Sequence, residues 1–161
     1  MIRLAVPADV PVLLQLVKDL ATYEREPDAV LATGSDLQEA LFGADAVASC
    51  HVAEHDGEVV GFALWYRTFS TWHGKPGLWL EDLYVRPEAR GSGVGRALLV
   101  ELAATCLQRG WTRFEWWVLD WNSSAQGFYR SLGALPQDEW TVWRVDGDRL
   151  RQLGDGASRR A

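Results

Sequence analysis

The 161-residue sequence predicts a mixed α/β (α+β) fold, one sheet of about six or seven strands flanked by about four helices. Three observations carry that class. Early β-rich runs are joined by a hairpin signal, later extended runs alternate with helical ones, and one strand enters a helix through a glycine-rich loop. Hairpins followed by strand–helix units build a sheet with antiparallel and parallel pairs. No linker or repeat divides the chain, so residues 1–153 are expected to form a single domain and 154–161 a flexible tail.

The elements follow in order. Arg3 to Val6 reads as a short strand. Asp9 is expected to cap a helix in which Val12, Leu13, Leu16, Val17 and Leu20 recur at i, i+3, i+4. That helix ends near Tyr23-Glu24, before Pro27. A second starts at Ser35, with Leu37, Ala40, Leu41 and Phe42 inward. Ala46–Ala53 and Val59–Thr68 are extended runs joined through Asp56-Gly57, a hairpin signal. A loop from Ser70 to Pro76 precedes the strand Leu78–Val85. The helix Ala97–Gln108 stops at Gly110, and Thr112–Leu119 is again extended. Ser123–Leu132 is helical, capped by Asn122 or Ser123 and closed by Gly133. Trp140–Val145 reads as the last strand and Leu150–Leu153 as a terminal turn.

Composition narrows the function. Apolar residues make up 48% and charged residues 24%, as in soluble globular domains. No apolar run reaches the ~20 residues that span a bilayer. The N-terminal stretch reads as a strand rather than a signal peptide, and Cys50 and Cys106 read as reduced buried thiols, so a cytoplasmic location is expected. Their spacing, and that of His51, His55 and His73, gives no metal ligand set. A net charge of −6 argues against nucleic acid as a partner.

The run Arg90-Gly91-Ser92-Gly93-Val94-Gly95-Arg96 carries the most chemistry. Glycines on alternate positions allow a tight turn and close approach of a ligand. The helix behind them aims free N–H groups and a positive dipole end into that turn, which suits phosphate. Arg90 and Arg96 can add charge-assisted bonds. A dinucleotide fingerprint fails because the third glycine comes one position early, and a P-loop fails because Arg96-Ala97 stands where Lys-Ser/Thr belongs. The remaining pattern, Arg/Gln-x-x-Gly-x-Gly/Ala, resembles the acetyl-CoA loop of the GNAT superfamily of N-acetyltransferases. A second motif follows about 30 residues on: Asn122-Ser123-Ser124-Ala125-Gln126-Gly127-Phe128-Tyr129, then Gly133-Ala134. By its residues alone it is a capped amphipathic helix. It is also similar to the late signature of the same superfamily.

The resemblance narrows to the diamine acetyltransferases, meaning the spermidine/spermine N1-acetyltransferases and their thialysine-acetylating relatives. Leu20-Ala21-x-Tyr23-Glu24, Trp72-x-Gly74-Lys75, Leu80-Glu81-Asp82, Trp121-Asn122 and Trp140 carry it, and it spans Ile2 to Leu153. One departure shows: the turn before Trp140 is shorter than in the polyamine enzymes and holds Asp138-Glu139 where the family has an acidic substrate contact. The resemblance implies a centrally splayed sheet, acetyl-CoA as co-substrate, a small-molecule amine substrate and a homodimer. It places the backbone of Leu83, Tyr84 and Val85, the cradle from Arg90 to Arg96, and Asn122, Ser124 and Phe128 on the cofactor. Tyr129 falls near the thioester sulfur.

The chemistry gives these residues work. An alkylamine of pKa near 10.4 is neutral in only about one molecule in 10³ near pH 7, so attack on a thioester needs a proton acceptor. By resemblance Glu81 is that acceptor, through water. A phenol of pKa ~10 stays protonated where a thiolate of parent pKa ~8.5 departs, so Tyr129 is the expected donor. No nucleophile–base constellation is present, which favours direct transfer over an acyl-enzyme. Tyr23, Glu24, Trp72, Glu81, Asp82 and Glu115 are the candidate contacts of a cationic substrate, with Asp82 read equally as a structural carboxylate. In a regular strand Glu81 and Asp82 face opposite sides, so both can line one pocket only at a bulge. Two other readings remain open here: acetylation of a protein lysine or N-terminus, and a non-catalytic acetyl-CoA sensor.

Overall fold

The computed structural model describes residues 1–158. Its elements are β1 (Ile2–Leu4), α1 (Val10–Tyr23), α2 (Gly34–Phe42), β2 (Ser49–His55), β3 (Glu58–Ser70), β4 (Lys75–Val85), α3 (Val94–Gln108), β5 (Phe114–Trp116), α4 (Ser123–Ser131) and α5 (Gly147–Ser158). The strands form one sheet in chain order, antiparallel up to β4 and parallel between β4 and β5. The chain makes two compact units, Met1–Trp117 and the stretch from Val118 onward. The sheet, α1, α2 and α3 belong to the first.

Periodicity dictates the core of that unit. Leu13, Leu16 and Leu20 of α1, with Leu37 and Leu41 of α2, pack on Val52, Phe62 and Tyr84 of the sheet. Each such side chain contributes about 1.5–3 kcal/mol when fully buried. Leu98, Leu99 and Leu102 bury one side of α3, which lies against β4 and β3. The β2–β3 hairpin turns through Asp56 at φ 50° and Gly57 at φ 81°, the pair of positive φ angles that Asp-Gly favours.

Asp9 does not cap α1 with its side chain. It already has helical angles, φ −81° and ψ −13°, whereas a capping residue is extended. Its buried carboxylate instead accepts from Arg3 at 2.7 and 3.0 Å and from the Val6 amide at 2.8 Å. Arg3 also reaches Glu54 at 2.7 Å, tying β1 to β2. Asp9→Asn is expected to cost about 3 kcal/mol at neutral pH, because it strands part of a buried pair. The Arg3 guanidinium holds the Asp9 carboxyl below its ordinary 3.8. Its contribution is therefore present above that value and lost as pH falls through the depressed pKa. Urea unfolding at pH 7 and at about pH 2 checks this, the gap between wild type and variant closing in acid.

Further corrections concern the second half of the chain. Among the described residues there are five strands and five α-helices rather than six or seven and four. The extended run Thr112–Leu119 contracts to β5, because the chain turns where the Asn122 amide donates to the Leu119 carbonyl at 2.8 Å. Trp140–Val145 forms no strand: no described neighbour supplies a ladder, and Trp140, Val142, Trp143 and Val145 stay exposed. The expected turn at Leu150–Leu153 is part of the longer α5, which takes in residues 154–158 of the expected tail. Residues 159–161 lie outside the described residues.

Candidate active site

β4 leads through a 3-10 turn at Pro87–Ala89 into the glycine loop and then α3. Gly91 has φ +76° and Gly93, the residue that caps α3, has φ +88°. A Cβ on either would touch nothing, so backbone angle rather than crowding demands glycine at both. Ser92 Oγ donates to the Ala89 carbonyl at 2.6 Å and fixes the turn. The helix begins at Val94, three residues before the sequence-based start at Ala97, so Gly95 and Arg96 lie in its first turn. The amides of Val94, Gly95 and Arg96 thus have no intrahelical acceptor and open toward solvent, a fit for pyrophosphate.

Arg90 is placed differently from a simple phosphate ligand. Its Nε donates to the Val85 carbonyl at 2.8 Å, and its guanidinium lies over the Tyr23 and Tyr84 rings at 5.0 and 5.3 Å. The cation therefore joins the end of α1, the end of β4 and the cradle.

The acidic pocket is built by a break in strand register. Leu64 pairs with Asp82 and Trp65 with Leu80, leaving Glu81 as the extra residue of a bulge in β4. Asp82, opposite Leu64, stands on the face covered by α1. Its carboxyl is pushed up from 3.8 to about 6, first by burial and then by the negative charges of Glu81 and Glu24. Glu24 follows the last turn of α1, and burial raises its carboxyl as well. Glu24, Glu81 and Asp82 therefore share one electrostatic neighbourhood that would welcome a cation.

Two aromatic residues that sequence reasoning missed hold Glu81. Trp79 Nε1 donates to Glu81 Oε2 at 3.2 Å, and Tyr66 stacks on Trp79 at 6.5 Å. The Tyr66 hydroxyl is pushed up by burial and then by the Glu81 charge. Trp117 meets Trp79 edge-on at 4.9 Å. Strand alternation could have flagged Trp79, two residues from Glu81, but Tyr66 emerges only from cross-strand pairing. Trp72 stands 81% exposed in the turn between β3 and β4. Glu115 lies opposite Trp79 in β5, 3.8 Å from the Arg113 guanidinium.

Burying the Asp82 charge has a stability consequence. A carboxyl raised in the folded state favours folding fully only below its unfolded pKa, and that contribution is lost as pH rises through about 6. Asp82→Asn is expected to stabilise the protein above that pH by on the order of 2 kcal/mol and to do nothing near pH 3. Thermal unfolding at pH 8 and pH 3 tests the sign.

In the second unit Asn122 is buried and its Oδ1 accepts from the Ala125 amide at 3.2 Å, so of the two caps the sequence offers, Asn122 and Ser123, the first caps α4. Ser124 lies in the first turn. The Phe128 and Tyr129 rings are half-buried, 5.4 Å apart and tilted by 49°. Gly133, at φ +87°, provides the exit. Asp138 and Glu139 are exposed.

A glycine cradle at a helix start beside an acidic pocket fits an acyltransferase, and comparison with known proteins agrees. The chain belongs to the Acetyltransferase (GNAT) family, which matches residues 13–134 and whose members use acetyl-CoA as co-substrate. It is 37% identical over 164 residues to thialysine N-epsilon-acetyltransferase of Bos taurus, covering 95% of this chain and 96% of that one. It is 33% identical to spermidine/spermine N(1)-acetyltransferase-like protein 1 of Homo sapiens, over 94% of this chain but 23% of that protein. An integron cassette protein from the mobile metagenome of V. cholerae shares the fold, with a TM-score of 0.81, 26% identity and 96% of each chain covered. Among the described residues, no helix is long and apolar enough to cross a membrane.

Proposed function

We propose that this protein moves the acetyl group of acetyl-CoA to a primary amine of a small cationic substrate by direct attack in a ternary complex. The observation that carries this reading is the cluster of Glu24, at the end of α1, with Glu81 and Asp82 on the strand that feeds the cradle. Three carboxyls in one neighbourhood offset the desolvation of an ammonium group. Similarity to a thialysine acetyltransferase along nearly the whole chain favours a lysine-like amino acid, with diamines and polyamines the neighbouring choice.

Glu81 takes a proton from the amine, through water, while Asp82, Glu24 and Tyr23 hold the cation. The freed nitrogen attacks the thioester carbonyl, the carbon–sulfur bond breaks, and Tyr129 protonates the departing thiolate, its phenolate then recovering the second proton that the acetylated nitrogen sheds. Gly91 to Arg96 hold the pyrophosphate, and the backbone of Leu83 to Val85 with Asn122, Ser124 and Phe128 receives the pantetheine arm. Arg90 braces the cradle against Tyr23. Residues 1–153 act as one catalytic domain of a cytoplasmic homodimer.

The test is CoA release with acetyl-CoA against lysine, thialysine, putrescine, spermidine and a histone-tail peptide. Turnover on a small amine supports the reading. Turnover confined to the peptide makes the protein a protein acetyltransferase, and tight acetyl-CoA binding without transfer makes it a sensor. Light scattering reads the dimer.

A further inference from the structure

A second cavity, of about 350 Å³, lies between the 46–49 stretch, Trp65, Tyr66 and Arg67 of β3, and Arg109 and Trp111 beyond α3. No Asp or Glu lines it, in a chain with 22 acidic against 16 basic side chains. The Arg109 guanidinium lies over Trp111 at 5.0 Å and over Trp65 at 5.6 Å. Those two indoles meet edge to face at 6.0 Å. The two indoles hold the cation by attraction to their rings, and its N–H groups are donors suited to a carboxylate. Neither Arg67 nor Arg109 enters an ion pair among the described residues.

The aromatic floor is rigid. Trp65 Nε1 donates to His51 Nδ1 at 3.0 Å, and the two rings stack at 6.0 Å. Burial lowers the pKa of His51, which keeps the imidazole neutral and able to accept that bond. Trp65 is 3% exposed, so its ring is held from behind. None of Arg67, Arg109, Trp65 and Trp111 has a part in the acetyl transfer described above.

We infer that this cavity is a binding site for a small organic carboxylate with a flat apolar body, gripped by Arg67 and Arg109 and set against Trp111, which the buried Trp65 supports. Two guanidiniums without a competing carboxylate select an anion, and the part-exposed Trp111 indole favours an apolar, planar body for it.

Calorimetric titration of the full chain with 2-naphthoate tests this, with neutral 2-naphthamide and inorganic phosphate as comparison ligands. One saturable site is expected for naphthoate, with the amide and phosphate each at least about tenfold weaker. Arg109→Gln and Arg67→Gln are each expected to weaken naphthoate about tenfold, with thermal unfolding confirming that both variants fold. No saturation at millimolar naphthoate overturns the inference. So does unchanged binding in the double variant, or equal binding of the amide or of phosphate. All of these readouts are independent of acetyl transfer.

Discussion

Tyr129→Phe is expected to lower kcat about 10²–10³-fold while acetyl-CoA affinity stays within about threefold. The change deletes one hydroxyl and keeps the ring, which packs at 5.4 Å against Phe128 in α4. That helix draws its start from the Asn122 side chain, which accepts from the Ala125 amide, and its end from Gly133. A loss in kcat without a loss in binding is the mark of an interaction made in the transition state. The deficit should narrow as pH rises past the ~8.5 of a free thiol, because a thiolate stable in solvent needs no donor. Single-turnover kinetics with a saturating amine from pH 6.5 to 9.5 gives both readings. A kcat within about threefold of wild type would remove Tyr129 from the proton path.

What the sequence discloses follows the range of the forces involved. The Asp56-Gly57 hairpin, the Asn122 cap and the leucine stripe of α1 depend on near neighbours, and each stands where its local signal put it. The conflict of Glu81 and Asp82 with strand alternation was also legible, and the bulge in β4 resolves it. Asp9 looked like a cap because its partner Arg3 belongs to another element, and a pair of this kind overrides a local preference. Trp140–Val145 has the residues of a strand, yet a strand needs a neighbour, which no local pattern supplies. Arg90 shows the same limit within the site. Its motif position is plain in the sequence, whereas its stacking on Tyr23 and Tyr84 requires three separated segments to meet.

Glu81→Gln should reduce kcat/KM for the amine about 10²–10³-fold near pH 7. Glutamine keeps an oxygen that can accept from Trp79 Nε1, so the bulge and its aromatic wall survive the change. What it loses is the capacity to take a proton. Turnover then depends on amine already neutral in solution, a fraction that grows about tenfold per pH unit up to the ~10.4 of an alkylamine. The deficit should therefore shrink steadily toward alkaline pH. A second consequence falls on Asp82, whose carboxyl sits at about 6 partly because of the Glu81 charge. Removing that charge draws the Asp82 pKa back toward its ordinary value, so the acid limb of the pH profile should move to lower pH. Asp82→Asn provides the contrast. It removes a charge that holds the ammonium but leaves the acceptor, so it should raise KM more than it lowers kcat. Profiles of kcat/KM from pH 5 to 9.5 for wild type and both variants separate these roles. Turnover of the Glu81 variant equal to wild type at every pH would move the base to Asp82, whose pKa near 6 already suits it to that work.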